Sequence, residues 1–128
     1  MKALLDTEAF LWFLSGDPRL SASARGIIEK PENDILLSIA SIWEIAIKMS
    51  IGKLNLSSPI DEFIPQQLAL QHIGVLNLEL PHVLRVATLP FHHRDPFDRI
   101  LVAQALTENL SIVCSDAAFD AYGVGRLW

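Results

Sequence analysis

The fold is decided by the stretch His92-His93-Arg94-Asp95-Pro96-Phe97-Asp98-Arg99-Ile100-Leu101-Val102-Ala103-Gln104-Ala105, in which acids stand directly before an apolar segment. Asp95 followed by Pro96 is typical of a helix N-cap with proline at the first helical position, where its missing N–H costs nothing. Asp98 falls in the first turn, where the helix dipole favours a carboxylate and where a capping box with Asp95 is expected. The following residues are apolar on most sides of the predicted helix, so we expect that helix to be buried.

Apolar runs and helical patterns alternate along the rest of the chain. Helical spacing follows Thr7, Ser21, Ser38, Pro59 and Leu80, and we predict strands at 2–5, 34–38, 73–78, 111–114 and 124–128. Ser57-Ser58-Pro59 predicts a helix start with Pro59 as the first-turn proline. Pro65 would lie in the interior of this helix, so we expect the helix to be short, kinked or split. The alternation predicts an α/β fold, a three-layer α/β/α sandwich with a mainly parallel sheet of about five strands.

The composition indicates one domain, residues 1–128, with a large core. Hydrophobic residues make up 51% of the chain and charged residues 20%, which suggests that some apolar surface is left for a partner. The single cysteine, Cys114, stands in an apolar run, where we expect it to fill a strand in a reducing compartment. The apolar run after Lys2 is too short for a signal peptide, and no run approaches the roughly 20 residues of a membrane span. We therefore expect a cytoplasmic protein.

The acidic balance restricts how the protein could act on nucleic acids. A formal net charge of −5 argues against a protein that coats nucleic acid through a basic surface. If a phosphodiester is the substrate, local cations or metal ions must offset the acidic balance.

Acidic residues follow two predicted strands and open the helix between them. Asp6 follows the first strand, Asp116 follows the fourth, and Asp98 opens the helix that leads into the fourth. Ligands of parallel sheets gather at the carboxyl ends of the strands, so these acids share one edge if the first and fourth strands are neighbours. Each acid alone has a simpler explanation, because Asp6 and Asp116 could cap the following turns and Glu44 could pair with Lys48.

Converging carboxylates point to a bound cation. They would repel one another and raise each other's pKa unless a positive charge lay among them. Oxygen ligands without a cysteine cluster favour Mg²⁺ or Mn²⁺ over zinc, and these ions suit phosphodiester hydrolysis.

Motifs across essentially the whole chain carry a family resemblance. They are Leu5-Asp6-Thr7, Ser41-Ile42-Trp43-Glu44-Ile45-Ala46-Ile47-Lys48 with Gly52-Lys53-Leu54, His93-Arg94-Asp95-Pro96-Phe97-Asp98-Arg99 with Ala103-Gln104-Ala105, and Ser115-Asp116 with Phe119-Asp120-Ala121-Tyr122-Gly123-Val124. Together they resemble a PIN domain of the VapC-type ribonuclease toxins of bacterial toxin–antitoxin pairs. The resemblance implies a metal-dependent endoribonuclease whose catalytic, metal-holding acids are Asp6, Glu44, Asp98 and Asp116. Asp98 fits the family's spacing to the following apolar residues better than Asp95, which we expect to assist.

The resemblance also implies partners. It predicts a cognate antitoxin whose peptide lies in an apolar groove and sends a basic residue towards the acids, and it predicts a homodimer. The helix that starts at Ile39 is apolar nearly all round, with Ile39, Ile42, Trp43, Ala46 and Ile47 on one face, which suggests contacts with both the core and a second chain.

Several other side chains are candidates for the site. Arg94, Arg99, Lys48 and Lys53 could hold RNA phosphates, or could pair with local acids or cover surface. Thr7 and Ser115 each stand beside an acid that a hydroxyl could orient. His92 and His93 could contact substrate or metal, although tandem histidines in a loop are more often solvated, and we expect the three tryptophans to serve packing.

Two other functions remain open on the sequence. The acids could be helix caps of a protein-binding module without catalysis, and a PIN-like nuclease could act on DNA, because no residue pattern reads the ribose 2′-hydroxyl. Other acid-dependent enzymes fit less well. A haloacid-dehalogenase-type phosphatase needs a second aspartate where Glu8 stands, and a receiver domain needs a lysine beyond Lys53, where the chain has none.

Overall fold

The computed structural model describes residues 1–128 as alternating strands and helices. In chain order these are β1 (Lys2–Leu5), α1 (Thr7–Ser15), α2 (Ala22–Glu29), β2 (Asp34–Ser38), α3 (Ile39–Ser50), α4 (Ile60–Leu70), β3 (Gly74–Leu76), α5 (Leu80–Val86), α6 (Pro96–Glu108), β4 (Ser111–Val113), a 3₁₀ helix (Ala117–Tyr122) and β5 (Arg126–Leu127). None of the helices combines the length and the apolar character that crossing a membrane requires.

The five strands form one parallel sheet in the order β3-β2-β1-β4-β5. Side chains of the central strand β1 alternate between the two sides of the sheet, with Ala3 and Leu5 in one buried cluster and Leu4 in another. Helices therefore cover both faces, and the predicted fold class is confirmed. In this order β1 and β4 are neighbours, with Leu5 opposite Val113, so the residues that follow these two strands lie at the same edge.

The predicted starts of α1 and α6 are confirmed by their caps. The Asp6 carboxylate accepts from the Ala9 N–H at 2.8 Å, and Asp95 Oδ1 accepts from the Phe97 and Asp98 N–H groups at 2.8 and 3.1 Å. The predicted capping box in α6 is wrong. The Asp95 N–H donates to Nδ1 of His93 at 3.1 Å, which leaves the Asp98 carboxylate free to face elsewhere.

The structure corrects the prediction for α4. Pro65 lies inside one uninterrupted helix, and Pro59 occupies the N-cap position instead of the first turn. Proline removes the N–H that would bond the Asp61 carbonyl, but Pro65 is exposed while Ile64 packs into the core at 4% exposure. The packing of the buried face therefore outweighs one lost hydrogen bond.

The strands β3 and β5 are shorter than predicted, because each lies at an edge of the sheet and has one neighbour to pair with.

The apolar stripe predicted on α3 is not the face that the helix buries. Its fully buried residues are Ala40, Ser41 and Ile45, whereas Trp43 is 59% exposed and its neighbours along the stripe, Ile39 and Ile47, are 39% and 37% exposed.

Candidate functional site

Six acids meet in one cavity of about 150 Å³ at the carboxyl edge of the sheet. No hydrophobic residue lines this acidic cavity, whose walls are formed by Asp6, Thr7, Glu8, Glu44, Lys48, Asp95, Asp98 and Asp116. The structure thus brings together all four acids predicted as the quartet, and it adds Asp95 and Glu8 beside them.

Each quartet acid is positioned by the start of a helix or by a helix face. Asp6 follows β1 and caps α1. Asp116 follows β4 and caps the 3₁₀ helix, with its Oδ1 2.9 Å from the Ala118 N–H that it accepts from. Asp98 lies in the first turn of α6, and Glu44 lies on α3, which follows β2. Asp6 and Asp116 cap through Oδ1, which leaves Oδ2 outside the cap, so capping and lining the cavity are compatible.

Burial beside other acids changes the protonation of Asp6. Burial, opposed by the Ala9 N–H hydrogen bond, raises its pKa from 3.8 to about 7, and the charges of Asp98, Glu8 and Glu44 contribute in the same direction. A buried acid among other acids retains its proton in this way unless a cation compensates its charge.

Asp98 and Asp116 respond differently to the same surroundings. Burial first, and then the charge of Asp95, raises the pKa of Asp98 to about 7. Partial burial also acts to raise the pKa of Asp116, but the hydrogen bonds from Ala118 and His93 outweigh it and hold this pKa below its usual range. The site therefore holds acids of unequal affinity for protons.

Lys48 is the one basic side chain in the wall of the acidic cavity. Its Nζ lies 3.1 Å from Oε2 of Glu44, one helical turn earlier on α3. The Glu44–Lys48 pair foreseen as the simpler explanation of Glu44 is thus present, and it lies within the acidic cavity itself.

His93 is the site residue that sequence reasoning undervalued. Its Nε2 is 2.8 Å from Oδ2 of Asp116 and 3.2 Å from Oδ2 of Asp98, and its side chain is 17% exposed. The expectation of a solvated loop histidine is wrong, because the loop before α6 folds back over Tyr122. The position of His93 just before the Arg94-Asp95-Pro96 helix start could have indicated a site residue, but the sequence does not show whether the loop turns its side chain inward or towards solvent.

The structure contradicts a phosphate-binding role for Arg99. The residue is 5% exposed, and its guanidinium donates to the carbonyls of Val86, Leu89 and Pro90 at 3.3, 3.2 and 2.8 Å. It also lies 4.1 Å from the centre of the Phe91 ring. Arg99 is therefore a structural residue that holds the segment before α6 by donating to its backbone carbonyls.

The remaining candidates divide between cavity and surface. Thr7 lines the acidic cavity, and its buried Oγ1 has no hydrogen-bond partner. Arg94, Lys53 and Ser115 are exposed and lie outside the cavity wall.

His92 and the three tryptophans pack against other aromatic rings. His92 lies edge-on to Tyr122, with ring centres 5.0 Å apart. Trp12 packs on Trp128 at 6.0 Å and Trp43 on Phe97 at 5.2 Å between ring centres, although Trp43 keeps much of its surface exposed.

Comparisons with known proteins agree with this architecture. A curated relative, Ribonuclease VapC16 of Mycobacterium tuberculosis, is 39% identical over 69 residues, which are 51% of this chain and 48% of that protein, so the match spans about half the length of the relative. Among solved structures, VapBC2 from Rickettsia felis bound to a DNA fragment from its promoter has a TM-score of 0.72 at 12% identity and covers 98% of this chain and 97% of its own. FitAcB from Neisseria gonorrhoeae has a TM-score of 0.66 at 21% identity, with 97% of this chain and 95% of its own chain covered. The model of the PIN domain family matches residues 3–125, and the chain therefore belongs to the PIN domain family.

Proposed function

We propose that residues 1–128 act as one PIN-like domain, a Mg²⁺- or Mn²⁺-dependent endoribonuclease that is the toxin of a toxin–antitoxin pair. The observation that carries this proposal is the convergence of Asp6, Glu44, Asp98 and Asp116 on one cavity without apolar walls. Membership of the PIN domain family and the likeness to a protein named as a ribonuclease support the same reading.

The residues of the acidic cavity fit a divalent cation. Its donors are carboxylate oxygens, which Mg²⁺ and Mn²⁺ prefer. Burial first, and then the neighbouring acids, raise the pKa values of Asp6 and Asp98 to about 7, so a cation would favour the ionised form of both. The buried Thr7 hydroxyl adds a polar atom that lacks a partner within the protein. A cation would offset the charge of the carboxylates, and one of its water ligands would give the Thr7 hydroxyl a hydrogen-bond partner.

We assign distinct roles to the residues around the cavity. The quartet acids would hold the cation, with Asp6 and Asp116 kept in orientation by the helix N–H groups on their Oδ1 atoms. A divalent cation supplies positive charge that stabilises the phosphoryl and leaving oxygens during phosphodiester hydrolysis. Lys48 would bind an RNA phosphate beside Glu44, and Asp95 assists mainly by holding the start of α6.

Two exposed apolar regions support a proposal for the partners. Trp43 on α3 and Ile51 at the C-cap of α3 are both 59% exposed, and on α5, Leu80 and Leu84 are 69% and 62% exposed. Exposed apolar side chains on neighbouring elements of a monomer typically mark a surface that binds another protein. We propose that a homodimer and a cognate antitoxin, encoded by an adjacent reading frame, cover these side chains. Light scattering of the protein alone tests the homodimer, and light scattering after co-expression with the adjacent reading frame tests the complex with the antitoxin. A monomer under both conditions would contradict both assemblies.

Cleavage assays test the proposed activity. We expect the purified protein to cut labelled RNA with Mg²⁺ or Mn²⁺ and to lose this activity with chelator. Asp6→Asn and Asp98→Asn should each reduce cleavage by at least about 100-fold while keeping the fold. Asp34→Asn is the matched control, because Asp34 is exposed at the opposite end of β2.

Two results would favour one of the alternative functions over an endoribonuclease. Faster cleavage of DNA than of RNA of the same sequence would favour the DNA nuclease. No cleavage of either substrate, together with no rise in melting temperature with Mn²⁺, would favour a binding module whose acids are only helix caps.

A further inference from the structure

His93 is held in place from three sides. Its backbone N–H donates to the Tyr122 hydroxyl at 2.9 Å, and its ring lies edge-on to Phe119 with ring centres 5.6 Å apart. Its carbonyl faces the buried Arg99 guanidinium at 3.5 Å. The imidazole therefore has little freedom to rotate away from the acids that it faces.

One hydrogen bond determines the tautomer of this ring. The Asp95 N–H points at Nδ1 of His93 at 3.1 Å, and a backbone N–H can only donate. Nδ1 must then present a lone pair, so the ring hydrogen lies on Nε2. In the other neutral tautomer, two N–H groups would face each other within the cap of α6.

The Nε2–H then points at the acids. It lies 2.8 Å from Oδ2 of Asp116, within hydrogen-bond range, and 3.2 Å from Oδ2 of Asp98. Asp116 also accepts on Oδ1 from Ala118, so one donor on each oxygen fixes the plane of this carboxylate. Each oxygen retains a second acceptor site for another ligand.

The nitrogen and the two carboxylates could themselves be taken for a metal-binding trio, since His93, Asp98 and Asp116 offer ligand atoms within 4.8 Å of one another. The tautomer argues against this reading. A nitrogen that carries a hydrogen has no lone pair for a metal, and moving the hydrogen to Nδ1 would break the bond with Asp95.

We propose that His93 is a positioning residue, locked by the Asp95 N–H as an Nε2–H donor that holds Asp116 and Asp98 in place for a cation and does not ligate the cation itself. This inference rests on the proposed function of the acidic cavity. Outer partners of metal-holding carboxylates typically contribute about 10- to 100-fold to metal affinity or activity.

Three substitutions separate the two ends of the ring. In His93→Gln the amide can still donate towards Asp116 but offers little to the Asp95 N–H. In His93→Asn the amide oxygen replaces Nδ1 as acceptor for Asp95 but the donor to Asp116 is lost. His93→Ala removes both groups, and His72→Asn, on the exposed turn after α4, is the control.

We expect His93→Ala and His93→Asn to lower kcat and Mn²⁺ affinity by about 10- to 100-fold, and His93→Gln to recover most of both. Stability should follow the opposite order, with His93→Asn closer to the wild type than His93→Gln. An active His93→Asn beside an inactive His93→Gln would overturn the proposal, because the ring would then matter only to the loop.

Nitrogen NMR of the imidazole provides a readout that needs no RNA. We expect Nε2 to be protonated and Nδ1 unprotonated, and we expect this tautomer to persist when Mg²⁺ is added. A hydrogen on Nδ1, or its transfer to Nδ1 on Mg²⁺ binding, would overturn the proposal. If the wild type failed to cleave RNA, the proposed function would fail, while NMR and Mn²⁺ titration would still test the role of His93.

Discussion

The Nζ of Lys48 lies 3.1 Å from Oε2 of Glu44, and both side chains face the acidic cavity. Lys48 lies among six acids, which carry more negative charge than its ammonium neutralises. The ammonium is therefore well placed to bind a phosphate when a cation takes over Glu44. The pair itself contributes little to stability, because Lys48 is 40% exposed and pairs of this kind on a helix are worth about 0.3–0.5 kcal/mol.

Lys48→Gln should therefore weaken substrate binding more than the chemical step. We expect KM for RNA to rise about 3- to 10-fold with a smaller change in kcat, because one charge-assisted contact to phosphate is lost. The salt dependence of kcat/KM should also become shallower, by about 0.7 in the logarithmic slope for a single strand. Kinetics at several salt concentrations measure both quantities. The exposed Lys30, substituted in the same way, is the control, and an equal change in that variant would contradict a local role for Lys48.

The metal-free protein should become less stable as the pH rises. The folded-state pKa of Asp6 is about 7 against an ordinary 3.8, so between these values the folded protein binds a proton that the unfolded chain has released. The free energy of unfolding is therefore highest at low pH and falls through this window, by an amount on the order of a few kcal/mol. Denaturation in the presence of chelator, repeated from about pH 4 to pH 8, measures this slope.

Asp6→Asn should flatten this pH dependence, because the amide keeps the oxygen that caps α1 but carries no charge. Some slope should remain from Asp98, whose pKa is also about 7. Asp34→Asn should leave the slope as it is in the wild type. An unchanged slope in Asp6→Asn would show that Asp6 is not the buried acid responsible.

Divalent cations should stabilise the protein more strongly at neutral than at acidic pH. Binding requires deprotonated carboxylates, and protons compete for Asp6 and Asp98 below about pH 7. We expect a Mn²⁺-induced rise in melting temperature at about pH 8 that is largely lost at about pH 5. Differential scanning fluorimetry with and without Mn²⁺ measures the difference. A shift of equal size at both pH values would place the cation away from these acids.

Asp95 and Asp98 should differ in what their loss affects. Asp95 caps α6 with Oδ1, so Asp95→Ala should destabilise the protein by about 1 kcal/mol, whereas Asp95→Asn should keep most of the cap. Asp98 makes no such cap, so Asp98→Asn should abolish cleavage without this loss of stability. Urea titrations beside cleavage assays distinguish the two acids. Equal loss of cleavage in Asp95→Asn and Asp98→Asn would contradict the proposed division of roles.

Arg99→Met should destabilise the fold by about 3 kcal/mol or more, because it leaves the carbonyls of Leu89 and Pro90 without the guanidinium donor and that of Val86 with only the Leu89 N–H at 3.3 Å. Proteolysis should increase within residues 87–95. Arg94→Met is a matched control in the same segment, since Arg94 is exposed, and it should change stability by less than about 0.5 kcal/mol. If the two variants were equally stable, Arg99 would not be holding this segment.

Local signals in the sequence predicted the parts that depend on near neighbours. Asp95 and Pro96 marked the start of α6 because a cap and a first-turn proline act within four residues. The four quartet acids that line the cavity were also among the predicted site residues, through motifs whose order resembles the family. Pro65 was misread for the opposite reason, since the burial of Ile64 against residues far along the chain outweighs a local penalty.

The sequence by itself determined the alternation of strands and helices, the caps that begin them and the identity of the acids at their ends, because these depend on periodicity and on contacts a few residues apart. Only the tertiary structure decided that β1 lies beside β4, that His93 turns inward to Asp116 and that Arg99 is buried under a loop. Those outcomes depend on which distant segments pack together. Without Tyr122 and Asp116 beneath it, the loop before α6 would have no partner to hold His93 inward, and nothing in its own sequence would keep that side chain out of solvent.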